Sequence, residues 1–520
     1  MDRDGASKSI WQHAVGNYIP ANDRDEHTVY DVLVIGGGIT GLTTALLLQE
    51  SGQKCLLVEG HNIGFGTTGG TTAHLNTVLD TPYIDIARHF GHDAACLVAK
   101  GAREAIDLIE QFTNKYGIEN DLAYKTGYLF ATTGEEADML QEMMEASDRA
   151  GVPMQRSDIL PVPIPYVKAA SVARQAQMHA LKHLLGLARV FEMKGGVIVQ
   201  QCMVHKLHDD DIITAETSQG VIRARYAVYA THLPPGVNVF SFRCAPYRSY
   251  AIAFTLKSGE YPDAMVYDLK EPYHYYRSQV VDGVKYVIAG GLDHKTGHNE
   301  DTAHVQRELE LYMRQYFDID TVAYRWSSQY YNSVDGLPYI GLMPGHSKVY
   351  AATGFGGNGM IYGTLSGKIL CDLITKGTSS YEKLFDPGRI KLAGLGTFLK
   401  ENADVIHQFV AGRFSAEEIE ELSGIAPGEA KMGEWEGQKL AIYKSDEGKL
   451  HILSAICPHV GCTVKWNSAE CTWDCPCHGA RYSPDGHLLT GPAQKGLTPV
   501  RPWGKADEGN KDSREDKPAA

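Results

Sequence analysis

Two short loops constrain this chain most: Cys457-Pro458-His459-Val460-Gly461-Cys462 and Cys475-Pro476-Cys477-His478-Gly479. Each carries thiols and an imidazole within a few residues, a pattern that calls for two turns folded together around a metal. C-x-H and C-x-x-H spacings suit tetrahedral zinc. They also suit an iron–sulfur cluster with mixed cysteine and histidine ligation. Of the ten cysteines, Cys55, Cys96, Cys202, Cys244 and Cys371 are scattered as small core residues are, whereas the other five crowd into this stretch. Cys471 fits no ligand role.

The paired loops resemble the Rieske proteins of the cytochrome bc type, with C-x-H-x-G-C followed by C-P-C-H-G. That resemblance implies a [2Fe–2S] cluster in which Cys457 and Cys475 hold one iron, and His459 and His478 the other. It also implies a disulfide between Cys462 and Cys477, and a covering loop at Gly491-Pro492-Ala493. A zinc knuckle does not call for Cys462, Cys477, Gly479 and Pro492 all in register. Neutral imidazoles in place of two thiolates raise the reduction potential above that of an all-cysteine cluster. One residue departs from the family: where it often has serine after C-H-G, this chain has Ala480, although Tyr482 keeps the second hydroxyl position. Fewer hydrogen bonds to sulfur predict a lower potential than in serine-containing relatives.

A second motif lies near the other end. The apolar run Asp31–Ile35 reads as a buried parallel strand. Gly36-Gly37-Gly38-Ile39-Thr40-Gly41 follows it, then the apolar helical stretch Leu42–Leu48, then a second strand at Leu56–Gly60. In this βαβ unit Gly36 allows the tight turn, Gly38 lets backbone approach a pyrophosphate, and Gly41 permits close strand–helix packing. The pyrophosphate then meets the N-terminal amides of the helix. Glu59 ends the second strand, where a carboxylate can bind ribose hydroxyls.

Further markers are GFGTTGGTTAH (Gly64–His74), AVYATH (Ala227–His232), VDGLPYIG (Val334–Gly341) and ATGFGGNGM (Ala352–Met360). With them, residues 30–380 resemble the flavin-dependent family that includes D-amino-acid oxidase, glycine oxidase and sarcosine oxidase. The resemblance implies FAD rather than NAD, with Thr67 and Thr68 among its contacts. The late glycine turn would set a helix N-terminus at the flavin's pyrimidine edge, making Gly357, Asn358 and Gly359 flavin-contact candidates. Arg248, Tyr250, Tyr275, Tyr276 and Arg277 fall in the segment that forms the substrate-facing sheet in that family. An arginine there could clamp a carboxylate. Arg248, Tyr250, Tyr276 and Arg277 are the catalytic candidates; a strand tyrosine is more often a packed half-buried residue.

These readings give the expected fold class: an α/β FAD-binding Rossmann-like domain with an α+β substrate domain, plus a C-terminal all-β Rieske domain. Residues 1–29 read as an irregular lead-in. The flavin-binding parts are expected at about 30–85, 190–235 and 335–380, and the substrate domain at about 86–189 and 236–334. A linker is expected at 381–425, the Rieske domain at 426–507 and a disordered tail at 508–520. The whole resembles bacterial proteins that join an amino-acid-oxidase-like domain to a Rieske domain.

Composition narrows the function classes. A net charge of −14 argues against a nucleic-acid partner. No apolar run reaches the length of a transmembrane span, and the polar N-terminus lacks the core of a signal peptide. The expected location is therefore cytoplasmic, with peripheral docking on a membrane partner left open. The expected activity is oxidation of an amine or amino-acid-like substrate, with electrons passing from flavin to the cluster and on to an external acceptor such as a ferredoxin or quinone. Two rivals remain open at this point: electrons entering through the cluster to reduce a substrate, and a non-catalytic electron-transfer or redox-sensing protein. A Rieske oxygenase would need a 2-His-1-carboxylate iron site, and no convincing one is present.

Overall fold

The structure is a computed structural model that describes residues 3–391, 394–411 and 424–500. The expected tail, and the FSAEEIEELS segment of the expected linker, lie outside the described residues.

The first sheet runs in the order Tyr339–Leu342, Val349–Thr353, Gly220–Tyr229, Val29–Ile35, Cys55–Val58, Val197–Val199. From Val349–Thr353 onward the neighbours are parallel, and Tyr339–Leu342 is an antiparallel edge. Its central strand is apolar throughout its buried part because both faces are covered: Val32 and Val34 pack against helices, and Leu33 and Ile35 against a cluster that includes Val204, Ile213 and Ala215. The helix after the glycine turn spans Ile39–Glu50 and is buried along most of its length. It packs against the late helix Gly359–Lys376, and two glycines set the approach. A Cβ on Gly363 would come within 2.8 Å of Ile39, and one on Gly367 within 2.5 Å of Thr43. This contact brings both helix N-termini to the same end of the sheet, as a parallel α/β sheet does with its ligand sites.

The second sheet has nine mixed strands, in the order Ile319–Ser333, Cys244–Leu256, Val284–Lys295, His274–Val281, Met265–Asp268, Ala123–Ala131, Lys168–Gln177 and His74–Leu75, with Met154–Ser157 off this path. His74–Leu75, expected within the flavin-binding part, pairs here instead with Lys168–Gln177. The C-terminal domain is all β. It comprises a three-stranded sheet (Ala430–Trp435, Gln438–Lys444, Leu450–Ser454) and a four-stranded one (Lys465–Asn467, Thr472–Asp474, Arg481–Tyr482, Leu488–Thr490).

The lead-in differs from expectation. It carries a short helix, Ile10–Ala14, capped by Ser9, and Trp11 and Ile10 are fully buried in the main core. Trp11 stacks beneath the Arg277 guanidinium and donates its Nε1–H to the Thr71 carbonyl. The expected linker also contains a helix, Leu395–Ala411. Among the described residues no helix is long and apolar enough to cross a membrane.

Candidate functional site

The two C-terminal loops meet. The Cys457 N–H donates to the Cys462 carbonyl at 2.9 Å, and the Cys475 N–H to the Ala480 carbonyl at 2.8 Å, so each loop closes on itself. Cys462 and Cys477 are joined by a disulfide that ties one loop to the other. Cys457 and Cys475 are free and buried. The His459 and His478 rings lie 4.8 Å apart, edge to face, and all four of their ring nitrogens are buried without a hydrogen-bond partner among the described residues. Unpartnered buried nitrogens are costly unless something ligates them. Cys475, bonding to the Cys457 sulfur, and the Tyr482 hydroxyl at 3.0 Å draw the Cys457 thiol down to about 7 against the opposing effect of burial. Two orphaned imidazoles and two buried thiols, one already favouring thiolate, fit a [2Fe–2S] cluster held by Cys457, His459, Cys475 and His478.

A cavity of about 710 Å³ runs from the glycine turn at Gly36–Ile39 past Thr67 and Thr68 to Gly356–Met360. Gly36 has φ +113°, and a Cβ there would lie 2.4 Å from the Ala230 carbonyl oxygen, so glycine is required. Gly41 has a similar role: its Cβ would sit 1.9 Å from the Gly36 oxygen. The Glu59 carboxylate accepts the Gly37 N–H at 2.7 Å and the His61 N–H at 2.8 Å, holding the turn open, while burial raises its pKa. The Thr68 hydroxyl accepts from the Ile39 N–H at the helix start. The Thr67 hydroxyl donates to the Gln329 carbonyl and lies 3.3 Å from His232 Nδ1. Asn358 caps the late helix, its side chain accepting from the Asp80 N–H, and the Gly357 N–H donates to the Asp80 carboxylate at 2.7 Å. A long cavity with bare glycine backbone at both ends and a carboxylate beside the first turn fits FAD.

The four catalytic candidates do not face this cavity. In the paired strands Cys244–Leu256 and Ile319–Ser333, side chains alternate between faces. Tyr247 pairs with Tyr330, Ser249 with Ser328 and Ala251 with Trp326, and all six line the cavity. Arg248 and Tyr250 point the other way. Arg248 donates to the Ser327 hydroxyl and pairs with Asp474 of the C-terminal domain at 3.2 Å. Tyr250 packs in a separate core behind the sheet and bonds His294. Tyr276 lies in that same core. Arg277 is spent on the Thr72 and Met178 carbonyls and the Gln279 side chain. Neither arginine is placed to clamp a substrate carboxylate. Of the five residues singled out in that segment, only Tyr275 lines the cavity.

Sequence reasoning missed Tyr247, Ser249, Tyr273, Asp293 and Tyr330 on the cavity wall. It also missed the surface joining the two cofactor sites. The Tyr331 hydroxyl donates to the His478 carbonyl at 3.0 Å, and the Gln329 amide donates to the Gly479 carbonyl at 2.9 Å. The His232 ring meets the Tyr331 ring edge to face at 4.6 Å, and both residues line the cavity. His232 sits at φ +68°, an uncommon conformation for a residue with a Cβ. Behind this contact lies a buried ionic network: Arg3 with Asp4 and Glu470, Arg481 with Asp4 and Asp474, and Arg248 with Asp474. Burial raises the Asp474 carboxyl, but Arg481 and Arg248 outweigh it and hold the group below its usual range.

A glycine-cradled dinucleotide cavity and a two-cysteine, two-histidine loop pair define a flavin-dependent iron–sulfur oxidoreductase. Comparison with known proteins agrees. The family described as FAD dependent oxidoreductase matches residues 31–373, and the Rieske [2Fe-2S] domain matches residues 415–501. A protein of Bacillus subtilis (strain 168), YhfW, described as a Rieske 2Fe-2S iron-sulfur protein, is 32% identical over 91% of this chain and 94% of its own length. Gamma-glutamylputrescine oxidoreductase of Escherichia coli (strain K12) is 22% identical, covering 71% of this chain and 89% of its own. The crystal structure of glycine oxidase from Geobacillus kaustophilus superposes with a TM-score of 0.59 at 19% identity, over 69% of this chain and 99% of its own, a likeness of fold. The chain belongs to the FAD dependent oxidoreductase family and carries a C-terminal Rieske domain, with FAD and a [2Fe–2S] cluster as cofactors. The family resemblances and fold class read from the sequence are thus borne out.

Proposed function

We propose that this enzyme oxidises an amine or amino-acid-like substrate at the flavin and passes the electrons through the Rieske cluster to an external acceptor. When bound, FAD takes up a hydride equivalent and the cluster carries single electrons, which is the chemistry the two groups supply. The observation that carries the reading is the Tyr331 contact. One side chain lines the flavin cavity and hydrogen-bonds the backbone of a cluster ligand. Gln329, two residues earlier on the same strand, fixes Gly479, so one rigid strand holds both sites. Glu59 and the glycine backbone would orient the dinucleotide, and Thr67 with His232 would close the wall between it and Tyr331. Burial lowers the His232 pKa to about 4, so this wall is neutral at physiological pH. Cys457, Cys475, His459 and His478 would hold the cluster, with Tyr482 donating to the Cys457 sulfur.

Anaerobic rapid mixing of the purified protein with small amines and amino acids, followed by optical and EPR detection, tests this. The flavin should bleach first and the cluster signal should grow afterwards. Cluster reduction ahead of flavin bleaching on mixing with a reduced carrier, together with no amine-driven bleaching, would reverse the direction of flow.

A further inference from the structure

We propose that the substrate end of the cavity is a cation subsite: Asp293, walled by Tyr247, Tyr273, Tyr275 and Tyr330, receives a positively charged nitrogen of the substrate. This deepens the amine-oxidation reading and rests on it.

Asp293 is aimed into the cavity by a break in the sheet. Arg248 pairs with His294 and Tyr250 with Gly291, so the single residue Ser249 faces both Leu292 and Asp293. Such a bulge re-aims side chains and is over-represented beside active sites. Leu292 takes up the bend at φ +55°, and Gly291 at φ +141° has its Cβ direction blocked by the Tyr273 carbonyl at 2.2 Å. Gly290 has no side chain, which leaves room for the Tyr275 ring; a Cβ there would lie 2.2 Å from the Tyr275 hydroxyl. The backbone irregularity and both glycines thus serve one arrangement.

The four rings line the same wall as the carboxylate. Tyr247 and Tyr330 stack with centroids 6.0 Å apart, and Tyr273 and Tyr275 lie 5.9 Å apart. The Tyr330 hydroxyl donates to Asp293 Oδ2 at 2.6 Å, while Oδ1 is buried without a hydrogen-bond partner among the described residues. A buried unpaired carboxylate oxygen on a cavity wall is an unmet acceptor, and tyrosine faces attract cations.

Charge elsewhere in the cavity points the same way. Among the described residues no arginine lines it. The lining lysine, Lys270, directs its ammonium at the Tyr312 hydroxyl and ring, behind the wall. The other carboxylates near this end are Asp80, Asp268 and Glu271. Asp80 is bonded to Gly357, and Asp268 to His274. Burial, reinforced by the Asp80 and Glu271 charges and opposed by the neighbouring Ser249 and Tyr330 hydroxyls, pushes the Asp293 carboxyl up to about 7. A bound cation is what would relieve that penalty. A substrate carboxylate would find no counter-charge here.

The test uses two isosteric probes on the oxidised, FAD- and cluster-loaded full chain: tert-butylammonium and pivalate. The ammonium has no hydrogen on the carbon next to nitrogen, so it binds without turnover. Calorimetry and perturbation of the flavin visible band should show tert-butylammonium binding at least tenfold tighter than pivalate. Asp293→Asn should weaken the cation by tenfold or more, with flavin content and the EPR signal of the separately dithionite-reduced cluster unchanged. Equal or tighter binding of pivalate by the unmodified protein would overturn the proposal without reference to any variant. An unchanged cation affinity in a folded D293N protein would also overturn it. Neither readout needs electron transfer to the cluster, so a failure of the electron route and a failure of the cation subsite are separable.

Discussion

At the scale of single residues, the cluster environment and Asp293 each make a quantitative statement. Ala480 is fully buried and offers no hydroxyl, so the Tyr482 donor to Cys457 is the side-chain hydrogen bond at a ligand sulfur in view. A hydrogen bond worth about 1 kcal/mol corresponds to roughly 40 mV for one electron. Tyr482→Phe should therefore lower the cluster potential by tens of millivolts, and Ala480→Ser should raise it by a similar amount; redox titration followed by EPR decides both. Asp293 sets a pH dependence of stability. Its folded pKa, near 7, lies above the usual carboxylate value. The fold therefore favours the protonated acid, and that contribution is complete below about pH 4 and lost as pH rises through 7. The loss is on the order of 4 kcal/mol at about 1.4 kcal/mol per pKa unit. Thermal unfolding should show D293N gaining on the unmodified protein between pH 4 and pH 8, with no gap at the acid end. A constant gap would contradict the assigned ionisation.

At the scale of elements, the motifs legible in the sequence were those whose chemistry is local. Gly36, Gly38 and Gly41 follow a strand and open a helix, and the two cysteine–histidine loops carry their ligands within a few positions. The substrate wall was illegible because it depends on strand parity. Slipping a strand by one residue exchanges its two faces, and Arg248 and Tyr250 lie one position away from Tyr247, Ser249 and Ala251, which line the cavity. An arginine in a strand looks like a carboxylate clamp until the buried Asp474 opposite it is known. Asp293 was equally hidden, since a bulge leaves no mark beyond Gly290-Gly291. The reassignment of Arg248 can be checked. Removing one partner of a buried ion pair costs about 3–5 kcal/mol. Arg248→Met should lower the unfolding midpoint, while the substrate concentration giving half-maximal flavin reduction in folded protein stays unchanged. A rise of tenfold or more in that concentration, with stability intact, would restore Arg248 to the substrate site.

At the scale of the whole molecule, the notable feature is how firmly the Rieske domain is held. The expected irregular lead-in supplies Arg3 and Asp4, and these join Glu470, Arg481, Asp474 and Arg248 in one buried network spanning both domains. Sequence could not show this, because the partners lie hundreds of positions apart and N-terminal polar residues usually read as solvated. Further contacts tie the domains at His61 to Leu489, Thr302 to Asn467 and Gly236 to Pro492. Asp4→Asn leaves Arg481 short of one buried counter-charge and should loosen this clamp, seen as faster proteolysis between the domains. The anchored arrangement fixes the cluster beside the flavin cavity instead of leaving it on a tether. Electron transfer between the two should then be a property of one molecule. The most direct measurement is the rate at which the cluster becomes reduced after the flavin is reduced anaerobically, taken over a wide range of protein concentration. The expected result is a first-order rate that does not change with concentration and that falls when Tyr331 is replaced by leucine. A rate proportional to concentration, or a cluster that stays oxidised beside fully reduced flavin, would contradict it.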